Sequence, residues 1–401
     1  MNNILNENFS RNCTGCGMCA SICPSKAIKM EIDSEGFYSP QVDINLCNNC
    51  GICIKTCYKF DTEISLKKCK PIECFSAVNN DSRELENCSS GGVSIELMRE
   101  CLNRGYYVVG VCYDYKNNIA VTKIAKSYNE LEGFKGSKYF QSYTSKSFDE
   151  IVNDKSEQKY AFFGTPCQIY AFKRLSELRK NTSKYIFVDI FCHGCPSLNL
   201  WKKYLSYQRS KFGISEFEEI KFRSKTYNWH EFAFEFFADN KKYLSEKYNN
   251  PFYEIFFGMN AMNKACYDCV TRSSIEYTDI RIGDFWGSRF NKDIKGVSAV
   301  VINSEQGKEL FYSVLKNFKV ERVSFSEIIK AQSYGKLHIC NEKKRERTLR
   351  LLSGDLNIKQ IQKQYRKADS VKVIAKRILK NMAKHLPSKV YIRVKGLLYR
   401  D

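Results

Sequence analysis

Cys13-Thr14-Gly15-Cys16-Gly17-Met18-Cys19-Ala20-Ser21-Ile22-Cys23-Pro24 is followed by Cys47-Asn48-Asn49-Cys50-Gly51-Ile52-Cys53-Ile54-Lys55-Thr56-Cys57. Both runs share one spacing. A 4Fe–4S cubane needs four thiolates around one cube. Three close-set cysteines in a tight loop reach three irons, and the fourth iron takes the last cysteine of the other run. The spacing therefore assigns Cys13, Cys16, Cys19 and Cys57 to one cluster. It assigns Cys47, Cys50, Cys53 and Cys23 to a second. Gly15, Gly17 and Gly51 suit loops whose amides point at sulfur. Structural zinc is a poorer reading, because each run has a cysteine to spare between its CxxC pairs. A disulfide framework is the other reading of cysteines this dense.

Working outward, residues 1–60 resemble a bacterial-type ferredoxin with two 4Fe–4S clusters. One departure is Tyr58, which stands where ferredoxins usually have proline. It loosens the turn and removes no ligand. Between the runs, Ala27–Asp33 alternates in polarity and turns at Ser34-Glu35-Gly36, which predicts a hairpin.

The 401 residues are enough for two or three domains. Nineteen cysteines is an odd count, which argues against complete disulfide pairing. Met1–Ser10 carries no signal-peptide core, and no eighteen-residue apolar run predicts a membrane span. A reducing cytoplasm is the expected location, in an anaerobic or microaerobic cell, since exposed cubanes are oxygen-sensitive. The net charge is +20, but residues 341–401 hold 18 Lys/Arg against 5 Asp/Glu, so that segment carries +13 of it. Basic character concentrated mainly at one end argues against a protein-wide nucleic-acid surface.

The expected organisation is a ferredoxin module at 1–60, a charged connector at 61–86, an α/β domain at 87–340 and a basic, mostly helical tail at 341–401. The fold class is a multidomain α+β/α/β chain. In the connector a short strand is expected around Phe75–Val78. Ser89-Ser90-Gly91-Gly92 opens a helix with Val93, Leu97, Cys101 and Leu102 on one face, and Gly105 closes it. Strands follow at Tyr106–Tyr113, Tyr160–Phe163, Tyr185–Phe191, Phe217–Phe222, Phe232–Phe237, Thr278–Ile282 and Val297–Ile302. Helices are expected near Ser147–Val152 and at Gln168–Lys180, Leu198–Phe212 and Pro251–Met262. In the tail, Ser370–Leu386 places Val371, Ile374, Ile378 and Met382 on one helical face. Lys372, Lys376, Arg377, Lys380 and Lys384 fill the rest. Such a helix suits an anionic membrane surface or an acidic partner.

Four further cysteines suggest a shared site. Cys167 sits at a strand–turn–helix junction, Cys192 ends a buried strand, and Cys266 and Cys269 form a CxxC. A helix start lowers a thiol's pKa, which suits a metal ligand or a nucleophile. On residues alone, a third metal site, a redox-active thiol pair and ordinary buried cysteines all stay open. Ser89–Gly92 reads either as an ordinary N-cap with a tight turn or as an anion site with free amides.

Residues 74–340 resemble the beta subunit of deazaflavin (coenzyme F-420) hydrogenases and dehydrogenases. The resemblance is carried by Ser89–Val93, by Gly136-Ser137-Lys138-Tyr139-Phe140-Gln141-Ser142 and by Phe163-Gly164-Thr165-Pro166-Cys167-Gln168. Further on it continues through Phe191-Cys192-His193-Gly194-Cys195-Pro196-Ser197, Phe222-Arg223-Ser224-Lys225, Cys266-Tyr267-Asp268-Cys269 and Asp279–Gly287. It implies FAD and a third 4Fe–4S cluster held by Cys167, Cys192, Cys266 and Cys269. Cys195 is a departure that competes as a ligand, and Cys88 stands where serine is common. Cys69, Cys74, Cys101, Cys112 and Cys340 fit no metal spacing. The implied flavin-site residues are Ser89, Ser90, Gly91, Gly92, Lys138, Asp284 and Trp286, with Lys138 on the pyrophosphate and Phe285-Trp286 walling the ring. His193 is placed to donate to a cluster sulfur.

These implications describe an iron–sulfur flavoprotein oxidoreductase. Electrons would pass between a flavin and three clusters, with a soluble hydride donor or a redox partner protein. The deazaflavin is one expected substrate. Proteins similar to this family also accompany surface-polysaccharide synthesis. The second reading is a non-catalytic electron-transfer adaptor, and a third is a tail-mediated interaction protein whose clusters sense redox state.

Overall fold

The computed structural model describes residues 2–6, 11–64, 70–367, 369, 374–375 and 378–379. In chain order the strands are β1 (Ile28–Ile32), β2 (Tyr38–Val42), β3 (Glu73–Asn79), β4 (Tyr106–Asp114), β5 (Ile119–Ala125), β6 (Ser142–Tyr143) and β7 (Lys159–Gly164). They continue as β8 (Tyr185–Ile190), β9 (Glu219–Ser224), β10 (Ala233–Ala238), β11 (Lys241–Leu244), β12 (Ile280–Asp284), β13 (Ser298–Ile302) and β14 (Phe318–Arg322). β1 and β2 form the expected antiparallel hairpin, and β9, β10 and β11 form a small antiparallel sheet.

Nine strands make the central sheet, in the order β14-β3-β13-β12-β8-β7-β4-β5-β6. Its middle, β12-β8-β7-β4, is parallel. β13 and β3 alternate in direction beside β12. Tyr160–Phe163 and Ser298–Ile302 are buried along their whole length, as strands covered on both faces must be. Alternate side chains go to opposite cores. Val108, Phe163 and Ile282 pack with helices Val93–Asn103 and Glu305–Ser313. Val109, Phe162 and Phe187 pack with helices Ser145–Asn153 and Pro166–Leu178.

The span expected as a connector, 61–86, supplies β3, which pairs with β13 and β14 inside the sheet. The tail begins as structure too. Helices Glu342–Ser353 and Ile358–Lys367 bury Leu349, Leu352, Ile358, Ile361 and Tyr365 in a core built around Trp201 of helix Leu198–Phe212. The helix expected at Pro251–Met262 stops at Phe257, because Met259 adopts a left-handed conformation with φ 61°. Of Ser370–Leu386, only Ile374, Ala375, Ile378 and Leu379 are described; these four are helical and exposed. The rest of that expected helix, and Cys69, lie outside the described residues.

The N-terminal module is sewn to the central domain. Gln141 accepts from the Tyr38 amide (2.8 Å) and donates to the Thr14 carbonyl (2.7 Å). Thr144 donates to the Cys16 carbonyl (3.1 Å), and the Leu198 amide donates to the Gly36 carbonyl (2.9 Å). Met18 and Ile22 pack in the same core as Phe148 and Phe172.

Candidate functional site

The carboxyl ends of parallel strands face a crevice where open α/β sheets place their chemistry. Here β7 runs into Cys167, β8 into Cys192, and β12 into Phe285-Trp286. β3 lies antiparallel to β13, as β12 does, so its carboxyl end and the Ser89–Gly92 turn beyond it belong to the same edge.

The five cysteines at or near this edge converge. The Asn263 amide donates to the Cys195 carbonyl (2.8 Å) and the Ser197 amide to the Ala261 carbonyl (2.8 Å). This zips the Cys192–Ser197 segment to the one leading into Cys266. A Cβ on Gly194 would sit 3.2 Å from that of Cys266. Burial raises the thiol pKa of Cys167, Cys192, Cys195 and Cys266, and their neighbours' negative charge raises them further. Cys192 reaches about 11, through burial first and then the nearby Cys269. Cys195 feels Cys266, Cys192 and Cys167, so it stands among the four expected ligands as a fifth thiol.

The loop after the CxxC is held by two buried arginines. Arg272 donates to the carbonyls of Cys266 and Lys336, both at 2.8 Å. Arg281, 1% exposed on β12, pairs with Asp189 on β8 and donates to the carbonyls of Arg272 (2.9 Å) and Ser274 (2.8 Å). The family resemblance includes Arg281 and implies no role for it. Its signal in the sequence is a charge inside the apolar strand Ile280–Ile282. In His193, Nε2 is buried with no hydrogen-bond partner among the described residues. Its Nδ1 pairs with Ser333 Oγ (3.2 Å) and its ring packs edge-on to Phe256. Burial lowers its pKa to about 4, with Arg272 adding to the effect.

One group of ferredoxin cysteines is enclosed in a cavity. Cys13, Cys16, Cys19 and Cys57 line one cavity with Ile4, Met18, Met30 and Thr56, the grouping the spacing assigns. Burial lifts the Cys13 thiol to about 11, helped by Cys16. Gly15, Gly17 and Gly51 all have positive φ. Among the described residues, no three His, Cys, Asp or Glu groups gather closely enough for a single metal ion; a cubane instead takes its thiolates around a cage. Of the neighbouring charges, Cys16 acts most strongly on Cys167. Tyr58 packs edge-on to Tyr170, one turn along the helix from Cys167, in a cluster that includes Cys57 and Val270. The departure from proline thus lies between the ferredoxin and the third group of thiols.

The expected flavin residues make contacts within the chain. Gly91's amide is taken by Ser298 Oγ (2.9 Å), and a Cβ there would lie 2.2 Å from the Ala77 carbonyl. A side chain there would collide with the sheet. Ser90 donates to the Val297 carbonyl (2.9 Å), and Ser89 accepts from the Ser137 amide (3.2 Å). Gly92 caps the helix with φ 81°. Lys138 donates to the carbonyls of Gly133 and Lys135, both at 2.9 Å, and burial lowers its pKa to about 8. Phe285 is buried in the core. Trp286 stacks on Trp229 at 4.7 Å, nearly parallel, and also contacts Arg223. Asp284 accepts from Arg223 and from Trp229 Nε1 (2.8 Å). Lys225 binds the Ser90 carbonyl (2.8 Å) and tethers the Ser89–Gly92 turn to this group. Arg223 and Lys225 thus join the site without having been expected there from sequence.

Residues 157–327 match the family model for the C-terminal part of the coenzyme F420 hydrogenase/dehydrogenase beta subunit, and residues 12–59 match the 4Fe–4S dicluster domain. The chain is an iron–sulfur electron-transfer protein related to that beta subunit. Both cysteine runs fall inside the dicluster match, and the segments carrying Cys167 to Asp284 fall inside the other. Among solved structures, the chain is similar to one from the F420-reducing NiFe hydrogenase complex of Methanosarcina barkeri. Identity is 18%, the TM-score is 0.45, and the match covers 78% of this chain and 94% of that one. No curated protein matches the chain. Among the described residues, no helix is long and apolar enough to cross a membrane.

Proposed function

We propose that the chain is an iron–sulfur flavoprotein oxidoreductase that relays electrons between FAD at the sheet's carboxyl edge and three 4Fe–4S clusters. The observation that carries this is the gathering of Cys167, Cys192, Cys266 and Cys269 beside Cys16 of the ferredoxin. Cys13, Cys16, Cys19 and Cys57 would hold the middle cluster. Cys47, Cys50, Cys53 and Cys23 would hold the outer one, where Cys50 is exposed. When bound, the flavin supplies exchange between a hydride pair and single electrons, which cubanes cannot do alone. The protein's own residues partly bury the thiols and fix their loops through Arg272 and Arg281. The hydride partner on this reading is a deazaflavin or another soluble donor, and the exposed Cys50 loop faces a redox partner protein.

Anaerobic reconstitution tests the cluster count. The full chain should carry about twelve irons, and Cys266→Ser with Cys269→Ser about eight. Equal iron in both removes the third cluster. The adaptor reading draws on the occupied Gly91 amide and on Lys138 turned onto carbonyls. It wins if the reconstituted chain retains no flavin.

A further inference from the structure

Arg223 is a residue at this edge whose bonding is visibly incomplete. Only 4% of its side chain is exposed. Nη1 is tied to Asp284. The guanidinium lies 4.7 Å from the Phe232 ring centre and 5.0 Å from that of Trp286. Nε and Nη2 are buried with no hydrogen-bond partner among the described residues. Buried donors are nearly always met. The N–H groups of Nε and Nη2 form a planar fork that matches two oxygens of one phosphate or carboxylate. Two rings and a carboxylate therefore hold a guanidinium still and leave that fork unmet.

The surroundings select an oxyanion. Arg223 and Lys225 against Asp284 leave one positive charge over. Lys225 binds the Leu85, Ser90 and Lys295 carbonyls, so the Ser89–Gly92 turn is drawn up beside Arg223. The Tyr139 hydroxyl lies against Arg223, within reach of a weak hydrogen bond but not at full hydrogen-bond geometry to Nε or Nη2, so an incoming oxyanion would share the guanidinium with it. The two anion contacts expected from sequence are occupied, since Ser298 holds the Gly91 amide and Lys138 caps carbonyls.

We propose that the Nε–Nη2 edge of Arg223 receives pyrophosphate oxygens of the bound dinucleotide, with Asp284 and Trp286 as the residues that position it. This rests on the flavin reading above and moves its anion contact to Arg223. In the test, anaerobically reconstituted full-length protein is titrated with FAD and, separately, with riboflavin, which has the ring and no phosphate. Arg223→Gln should weaken FAD roughly ten- to hundred-fold and leave riboflavin unchanged. Arg223→Lys, which keeps the charge and loses the fork, should fall between. Iron content reports folding. If Arg223→Gln loses iron, the variant carrying both Arg223→Gln and Asp284→Asn, which leaves no buried charge unpaired, replaces it. Equal weakening of both ligands, or of neither, overturns the proposal. If the wild type binds no flavin, the flavin reading falls and Arg223 is tested alone by calorimetric titration with inorganic pyrophosphate. Binding that Arg223→Gln abolishes keeps the oxyanion site; no binding by the wild type overturns it.

Discussion

Arg281 carries more of the site than its place in a strand suggests. It is buried, doubly bonded to Asp189, and holds carbonyls of the loop that follows Cys269. Removing one member of a buried ion pair leaves the other charge unpaired, at a cost of roughly 3–5 kcal/mol. Arg281→Met should therefore lower the denaturation midpoint sharply. Adding Asp189→Leu should restore part of the loss, and chemical denaturation of the apoprotein measures both. Additive losses would mean the pair is not what holds the strands. Residue identity was legible in sequence where spacing is the chemistry, as for the ferredoxin cysteines. It was not legible for Arg223 or Gly91, because a free edge or an occupied amide depends on partners far along the chain: Ser298 lies 207 residues from Gly91.

At the scale of elements, the segment Gly136–Ser142 has a use that its sequence did not disclose. It precedes and enters β6, and its Gln141 spans the ferredoxin hairpin and the first cysteine loop. Each such hydrogen bond contributes about 0.5–1.5 kcal/mol net, with a further penalty when a buried partner is left unmet. Gln141→Ala should loosen the module locally. Hydrogen exchange should speed at Tyr38 and around Thr14 while the central sheet stays protected. Unchanged exchange at those amides would remove Gln141 from the docking. Most helices and strands were readable from periodicity, as Leu198–Phe212 shows. β5, β6, β11 and β14 were missed; their sequences are short or mixed and their strand character comes from pairing with β4, β5, β10 and β3.

At the scale of the whole molecule, charge separates from chemistry. The basic surplus sits at the C-terminal end, away from the cysteine runs in sequence. A chain cut at Asn341 would lose helices that bury Leu349, Ile361 and Tyr365, so a cut after Lys367 is the cleaner comparison. Full-length protein should sediment with anionic vesicles at low salt, through about 1 kcal/mol per basic residue near the surface. The chain ending at Lys367 should not, and high salt should abolish the difference. Equal sedimentation by both would end the membrane reading.

The sequence by itself determined the two cysteine runs of the dicluster domain, the α/β alternation and the likeness of residues 157–327 to the beta-subunit family. These rest on local spacing and periodicity, which survive without knowledge of the fold. The tertiary structure decided which distant segments share an edge. It put β3 inside the sheet, set Cys195 among the other thiols, and brought Cys16 up to Cys167. It also stacked Trp286 on Trp229 and set it against Arg223. The meeting of Cys167, Cys192 and Trp286 depends on parallel strands delivering their carboxyl ends to one place, and that is a property of strand order that no single stretch of residues encodes.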